Sequence, residues 1–187
     1  MTVTLQSIGT IHTPYFALNA PQQPIPNAPG DFWITLNPDY TRALETLQTF
    51  NYIYVLYHFN EVTPPIEMLT RSPWAPEIEI GLFASRSAKR PNPLGLSVVK
   101  LKEIRGNELI ISGIDAYDGT PALDIKPYIG FLDSKEDANN GWLDALPDRK
   151  HTMAHALGLA HSHSHNHDHH HEHEPLRHAK KPHSHND

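Results

Sequence analysis

The chain has 187 residues, with 15 Lys and Arg against 21 Asp and Glu, no Cys and 39% hydrophobic residues. That length fits one compact domain with a tail and excludes two large ones, and the lack of cysteine excludes a disulfide framework, a thiolate nucleophile and Cys-ligated zinc or iron–sulfur clusters. Residues 1 to 150 hold 12 basic and 17 acidic side chains, which argues against a uniformly basic nucleic-acid-binding body, so a polyanion would need a local basic patch.

The opening MTVTLQSIGTIH has no basic region followed by an apolar one, and no stretch approaches the ~18 apolar residues that would span a bilayer. A cytoplasmic protein with no membrane partner is expected. Residues 3 to 12 and 32 to 36 are rich in β-branched and aromatic side chains and predict two strands. The loop between them is stiffened by Pro14, Pro21, Pro24, Pro26 and Pro29. Asn37-Pro38, followed by Tyr40, Leu44 and Leu47 at helical spacing, predicts a helix over residues 38 to 50. Strands are expected at 52 to 59 and, after a Pro-rich connection from Thr63 to Pro76, at 79 to 85. Residues 96 to 104 and 108 to 114 flank Arg105-Gly106-Asn107 and predict a hairpin. A last short strand follows the Asp118-Gly119 turn at Leu123 to Lys126.

Six or seven short strands without strand–helix alternation predict a mainly β fold, a small antiparallel barrel or curled sheet with one or two packed helices. The barrel domain is expected over residues 1–150. Residues 151–187 contain 13 of the 15 His and too little apolar surface to offset ordering entropy, so a disordered tail is expected there without metal.

Two segments stand out chemically. Phe83 to Ser97, FASRSAKRPNPLGLS, places Arg86, Lys89 and Arg90 within five residues and then stiffens the backbone with Pro91 and Pro93. Cations on a rigid frame suit a carboxylate or phosphate, although a solvated basic loop has the same composition. Asp115 to Tyr128, DAYDGTPALDIKPY, crowds Asp115, Asp118, Asp124 and Lys126 around a tight turn, and such turns are often purely structural. His12 and His58 fall in strand-like segments, where a satisfied structural role is common. No phosphate-binding glycine loop or nucleophile elbow occurs.

The segments IGTIHTPY (8–15), VLYHF (55–59), FASRSAKRPNPLGLSVVKL (83–101) and DAYDGTPALDIKPYI (115–129) resemble, in family order, the TrmO (TsaA-like) family. Members are S-adenosylmethionine-dependent methyltransferases acting on N6 of threonylcarbamoyladenosine beside the tRNA anticodon. The resemblance implies a small cofactor-binding β-barrel, a homodimer and tRNA as partner. Carried over by motif, cofactor contacts fall on Gln23, Pro24, Ile25, Asn60, Glu61, Arg86, Leu96, Ala116, Tyr117, Asp118 and Gly119. Asp118 and Asp124 are the candidate bases for deprotonating the acceptor nitrogen. Lys89, Arg90, Lys126 and Tyr128 are candidates for holding substrate. The chain departs from the family at Asn60, where His is usual, and at Pro21-Gln22-Gln23, where Pro-Arg-Gln is common.

The run HSHSHNHDHHHEH offers His161, His163, His165, His167, His169, His170, His171 and His173 as metal ligands. Flexible imidazole clusters bind Zn2+, Ni2+, Co2+ or Cu2+ with interchangeable ligand sets. Its irregularity favours a native segment over a purification tag. Two function classes follow: a tRNA methyltransferase with a metal-binding appendage, or a metal-homeostasis protein whose barrel binds S-adenosylmethionine and acts on another acceptor.

Overall fold

The computed structural model describes residues 2–16, 20–21, 23–63, 65–72, 75–148, 152 and 154. Apart from residues 152 and 154, the expected tail lies outside them, as do all its candidate metal ligands. Eight strands follow in order: β1 (Gly9–His12), β2 (Trp33–Leu36), β3 (Tyr52–His58), β4 (Leu69–Ser72), β5 (Ala75–Gly81), β6 (Leu94–Arg105), β7 (Glu108–Ile111) and β8 (Thr120–Pro127). Six of them pair antiparallel in the order β1-β2-β7-β6-β3-β8, and β8 returns to β1 through Gly9 opposite Ala122, which closes the ring. The other two form a separate ribbon, β4 with β5.

Strict alternation drives this arrangement. In β3 and β6 every second side chain is buried: Ile53, Val55 and Tyr57 on one, Ser97, Val99 and Leu101 on the other. A one-residue slip would turn that whole set, Tyr57 and Ser97 included, to solvent. Ile11, Ile34, Leu109, Ile111 and Ile114 complete an interior with almost no exposed area, each large side chain contributing roughly 1.5–3 kcal/mol by burial. One close approach requires glycine. A Cβ on Gly95 would sit 2.2 Å from the Tyr57 ring, so Gly95 makes the space that the tyrosine fills.

The expected helix at 38–50 is instead two 3-10 turns, Pro38–Leu44 and Leu47–Thr49, separated by Thr46 at φ 69°. Thr41 Oγ1 donates to Pro38 O and Thr49 Oγ1 to Thr46 O; hydroxyls bonding the carbonyl three residues back compete with the α-helical ladder. Asn37 makes no side-chain cap. The expected strand at 79–85 is shifted as well: β5 ends at Gly81 and Leu82–Ala84 form a 3-10 turn. The strand expected over 3–12 covers only Gly9–His12, and β4, in the Pro-rich connection, was not expected from composition. The α-helical content of the described residues up to 148 is the single turn α1 (Gly130–Asp133), where Asp133 Oδ2 accepts the Ile129 N–H at 2.7 Å.

Candidate active site

Antiparallel pairing in a closed ring sends alternate connections to opposite ends. The β1–β2 loop, the whole excursion from β3 to β6 and the β7–β8 loop leave from the same end. These three connections carry Gln23 to Ile25, Asn60, Glu61, Arg86 and Ala116 to Gly119, with Leu96 just inside β6. Residues scattered over almost a hundred positions are thus gathered by topology.

Backbone contacts stitch the three connections to one another. Phe59 N–H donates to Pro93 O at 2.8 Å, joining the end of β3 to the Pro-stiffened basic loop. Asp118 N–H donates to Tyr15 O at 2.9 Å and Gly119 N–H to Ile11 O at 3.0 Å, tying the Asp-Gly turn to the end of β1. Gly113 lets the first loop lie close, since a Cβ there would meet Ile25 O at 2.3 Å.

At the centre is a polar group inside an apolar barrel. Tyr57 Oη donates to Asp115 Oδ1 at 2.9 Å and Ser97 Oγ donates to the same oxygen at 2.8 Å, the two hydroxyl oxygens being 3.1 Å apart. Tyr57 and Ser97 are buried, and such a carboxylate with two hydroxyl donors is held in one orientation. Burial pushes the Asp115 carboxyl above the ordinary carboxylate range, opposed by those hydrogen bonds and by the Arg86 charge. Burial, then the charge of Asp115, likewise raises the Tyr57 phenol, and the Tyr15 phenol is raised by the same two causes. Arg86 acts electrostatically on both Tyr57 and Asp115, so the basic loop and this network share one region.

Asp118 is engaged in local structure. Its Oδ1 accepts the Thr13 N–H at 3.2 Å and lies 3.3 Å from His12 Nδ1. His12 in turn stacks on Trp33, ring centroids 4.7 Å apart. Ala116 is buried and its carbonyl accepts from Thr13 Oγ1 at 3.0 Å, while Gly119 takes φ 82°. In the basic loop the three cations differ. Arg90 Nη1 donates to Ser85 O at 2.9 Å and its guanidinium lies over the Phe83 ring, which braces the loop, whereas Arg86 and Lys89 are exposed. Trp142 Nε1 donates to Ala84 O at 2.9 Å, strapping the C-terminal part of the domain onto the turn before Arg86.

Asp124, Lys126 and Tyr128 lie elsewhere. They follow the outer face of β3 away from this end, Asp124 opposite Leu56 and Lys126 opposite Tyr54. Asp124 Oδ2 pairs with Lys126 Nζ at 2.6 Å in a largely exposed contact, and Tyr128 packs against Tyr52 and Tyr54. Leu96, 60% exposed, is on the outer face of β6 with Leu94 and Val98. Among the described residues no group of three or more His, Asp or Glu side chains could hold a metal ion, and no helix is long and apolar enough to cross a membrane.

S-adenosylmethionine presents a carboxylate, an ammonium, a sulfonium and an adenine ring, and the residues gathered here fit that combination. Arg86 offers a guanidinium for an anion; the exposed Glu61 offers negative charge; Leu96 and Phe59 offer apolar surface. Sequence reading missed Tyr57, Ser97 and His12 as parts of the site. A serine at inward parity beside Val99 was the available signal, because a hydroxyl pointing into a core needs a partner.

The tRNA-methyltransferase O N-terminal domain family matches residues 10–134. A probable S-adenosyl-L-methionine-binding protein of Pyrococcus abyssi is 36% identical, over 76% of this chain and 77% of that one. The tRNA (adenine(37)-N6)-methyltransferase of Escherichia coli is 31% identical over 76% of this chain and 64% of that enzyme. The crystal structure of TrmO from Pseudomonas aeruginosa superposes with a TM-score of 0.61 at 33% identity, covering 75% of this chain and 62% of that one. The chain thus spans less than two thirds of those two longer relatives, and it belongs to the tRNA-methyltransferase O N-terminal domain family.

Proposed function

We propose that this protein is an S-adenosylmethionine-dependent methyltransferase acting on N6 of threonylcarbamoyladenosine beside the anticodon of tRNA. The observation that carries the reading is the convergence, at one end of the barrel, of Arg86, the 116–119 turn and the first loop around the Tyr57–Ser97–Asp115 network. A relative of 31% identity named as a tRNA (adenine(37)-N6)-methyltransferase supports the substrate class.

Bound at this end, S-adenosylmethionine supplies an electrophilic methyl group. The chain's own task is positioning, which accounts for much of the rate in such a transfer. Arg86 holds a carboxylate against the barrel mouth. A ureido-type N6 becomes a good nucleophile as its proton leaves. Among the three aspartates considered, Asp115 suits that proton best: its carboxyl holds a proton more tightly than usual, and its orientation is fixed by Tyr57 and Ser97. Asp118 is committed to His12 and the Thr13 N–H, and Asp124 to Lys126.

A homodimer is part of the proposal, supported by Leu94, Leu96 and Val98 exposed in one row on β6. The His161–His173 run is proposed, on composition, to bind divalent transition metals as an appendage. The deciding experiment is mass spectrometry of nucleosides from tRNA carrying threonylcarbamoyladenosine, incubated with the protein and S-adenosylmethionine. A one-methyl gain on that nucleoside is expected. No gain, with cofactor binding shown in the same preparation, moves the search to another acceptor.

A further inference from the structure

The outer face of β6 changes character along its length. Leu94, Leu96 and Val98 give way to Lys100 and Lys102, all pointing outward at alternate positions. Beside the lysines the structure has a groove of about 580 Å3, walled by Pro24 and Pro26 of the first loop, with Tyr52 and Val98 beside Lys100 and Lys102. Its lining includes two lysines and no carboxylate, in a chain whose acidic residues outnumber its basic ones. No described carboxylate forms an ion pair with either ammonium, whereas Lys126 has Asp124.

We infer that this groove is a track for the sugar-phosphate backbone of the RNA substrate, Lys100 and Lys102 each meeting a phosphate. The inference rests on the tRNA reading above and assigns that substrate a path across the protein. Three observations support it. Lys100 and Lys102 both line the groove, Lys100 before and Lys102 at the point where the β6–β7 register shifts, so the two ammonium groups present separate contacts on one wall. The groove shares Pro24 with the loop of the candidate cofactor site, and Lys100 lies four residues along β6 from Leu96. An RNA held there therefore reaches the reacting end without leaving the sheet. Tyr52, paired with Lys100 and 42% exposed, offers a ring on which a base can stack. A second copy of the chain suits the apolar part of the row, but two lysines with no facing carboxylate do not favour self-association.

The test compares the full-length parent with a Lys100→Gln/Lys102→Gln double variant, measuring affinity for threonylcarbamoyladenosine-bearing tRNA by anisotropy at several salt concentrations. S-adenosylmethionine affinity is measured alongside. The expected result is roughly tenfold weaker tRNA binding, a salt slope smaller by about two, and unchanged cofactor affinity. Equal tRNA affinity and slope in the two proteins overturns the inference, even if the variant changes its oligomeric state. Equal loss of cofactor and tRNA binding also overturns it, by making the groove part of the cofactor site. A parent that binds no tRNA instead overturns the tRNA reading itself.

Discussion

Asp115 and Asp124 are nine residues apart, each with close polar partners, yet they sit in opposite surroundings. Asp115 is half-buried at the loop end of the barrel against two buried hydroxyls, with its carboxyl held above the usual range by burial. Asp124 lies on the outer wall, paired with one flexible lysine in solvent. The difference shows that a carboxylate's neighbours matter less than the water around them. Fixed hydroxyl donors in a low-dielectric site orient and tune a group, whereas an exposed ion pair is screened and loosely held.

The contrast breaks if Asp115 proves dispensable. Asp115→Asn is expected to lower kcat about a hundredfold while leaving S-adenosylmethionine affinity close to the parent's, as read by steady-state kinetics and calorimetry. Its stability follows a definite sign. Because the folded state raises the Asp115 pKa, that group's contribution is greatest in acid and declines as pH rises past the ordinary carboxylate value towards the raised one. The variant's Tm relative to the parent should therefore improve between pH 4 and pH 7. A constant difference would show that the carboxyl is not desolvated.

Arg86→Ala is expected to weaken cofactor binding about thirtyfold, the worth of one charge-assisted contact; equal affinity in calorimetry would remove Arg86 from the site. Gly95→Ala tests the packing behind the network. The added methyl meets the Tyr57 ring and should cost about 1–3 kcal/mol of stability in denaturant unfolding. Asp124→Asn should change stability by less than about 0.5 kcal/mol and turnover hardly at all. Removing residues 155–187 should leave cofactor affinity as it is.

Much of this was legible in the residues. The apolar and aromatic run YIYVLYHF marked β3, and Arg105-Gly106-Asn107 between LSVVKLKEI and ELIISGI marked the hairpin of β6 and β7. The motif blocks pointed to the loops that the barrel gathers at one end. What escaped was cross-strand. Val55 pairs with Ser97, and only that register brings Ser97 beside Tyr57 and the returning Asp115; composition along one strand carries no record of its neighbour. The helix expected at 38–50 failed locally, because apolar spacing does not register the competing bonds of Thr41 and Thr49. The roles of Arg86 and Arg90 were also inseparable in sequence, since both sit in one basic run and only the fold turns Arg90 back onto Ser85 O.

The closed ring also constrains how the chain reaches its native state. β1 contributes Gly9 to a ladder whose other half, Ala122, follows more than a hundred residues later. Until β8 is available, β1 and β3 both lack one neighbour and expose unpaired backbone edges, the kind of surface on which chains pair wrongly. Such distant pairing makes for slow folding. As the chain emerges during synthesis, the barrel cannot seal before β8 arrives. The last strand to join the ring is also the one that follows the Asp115–Gly119 loop, so closing the barrel and completing the site are the same event.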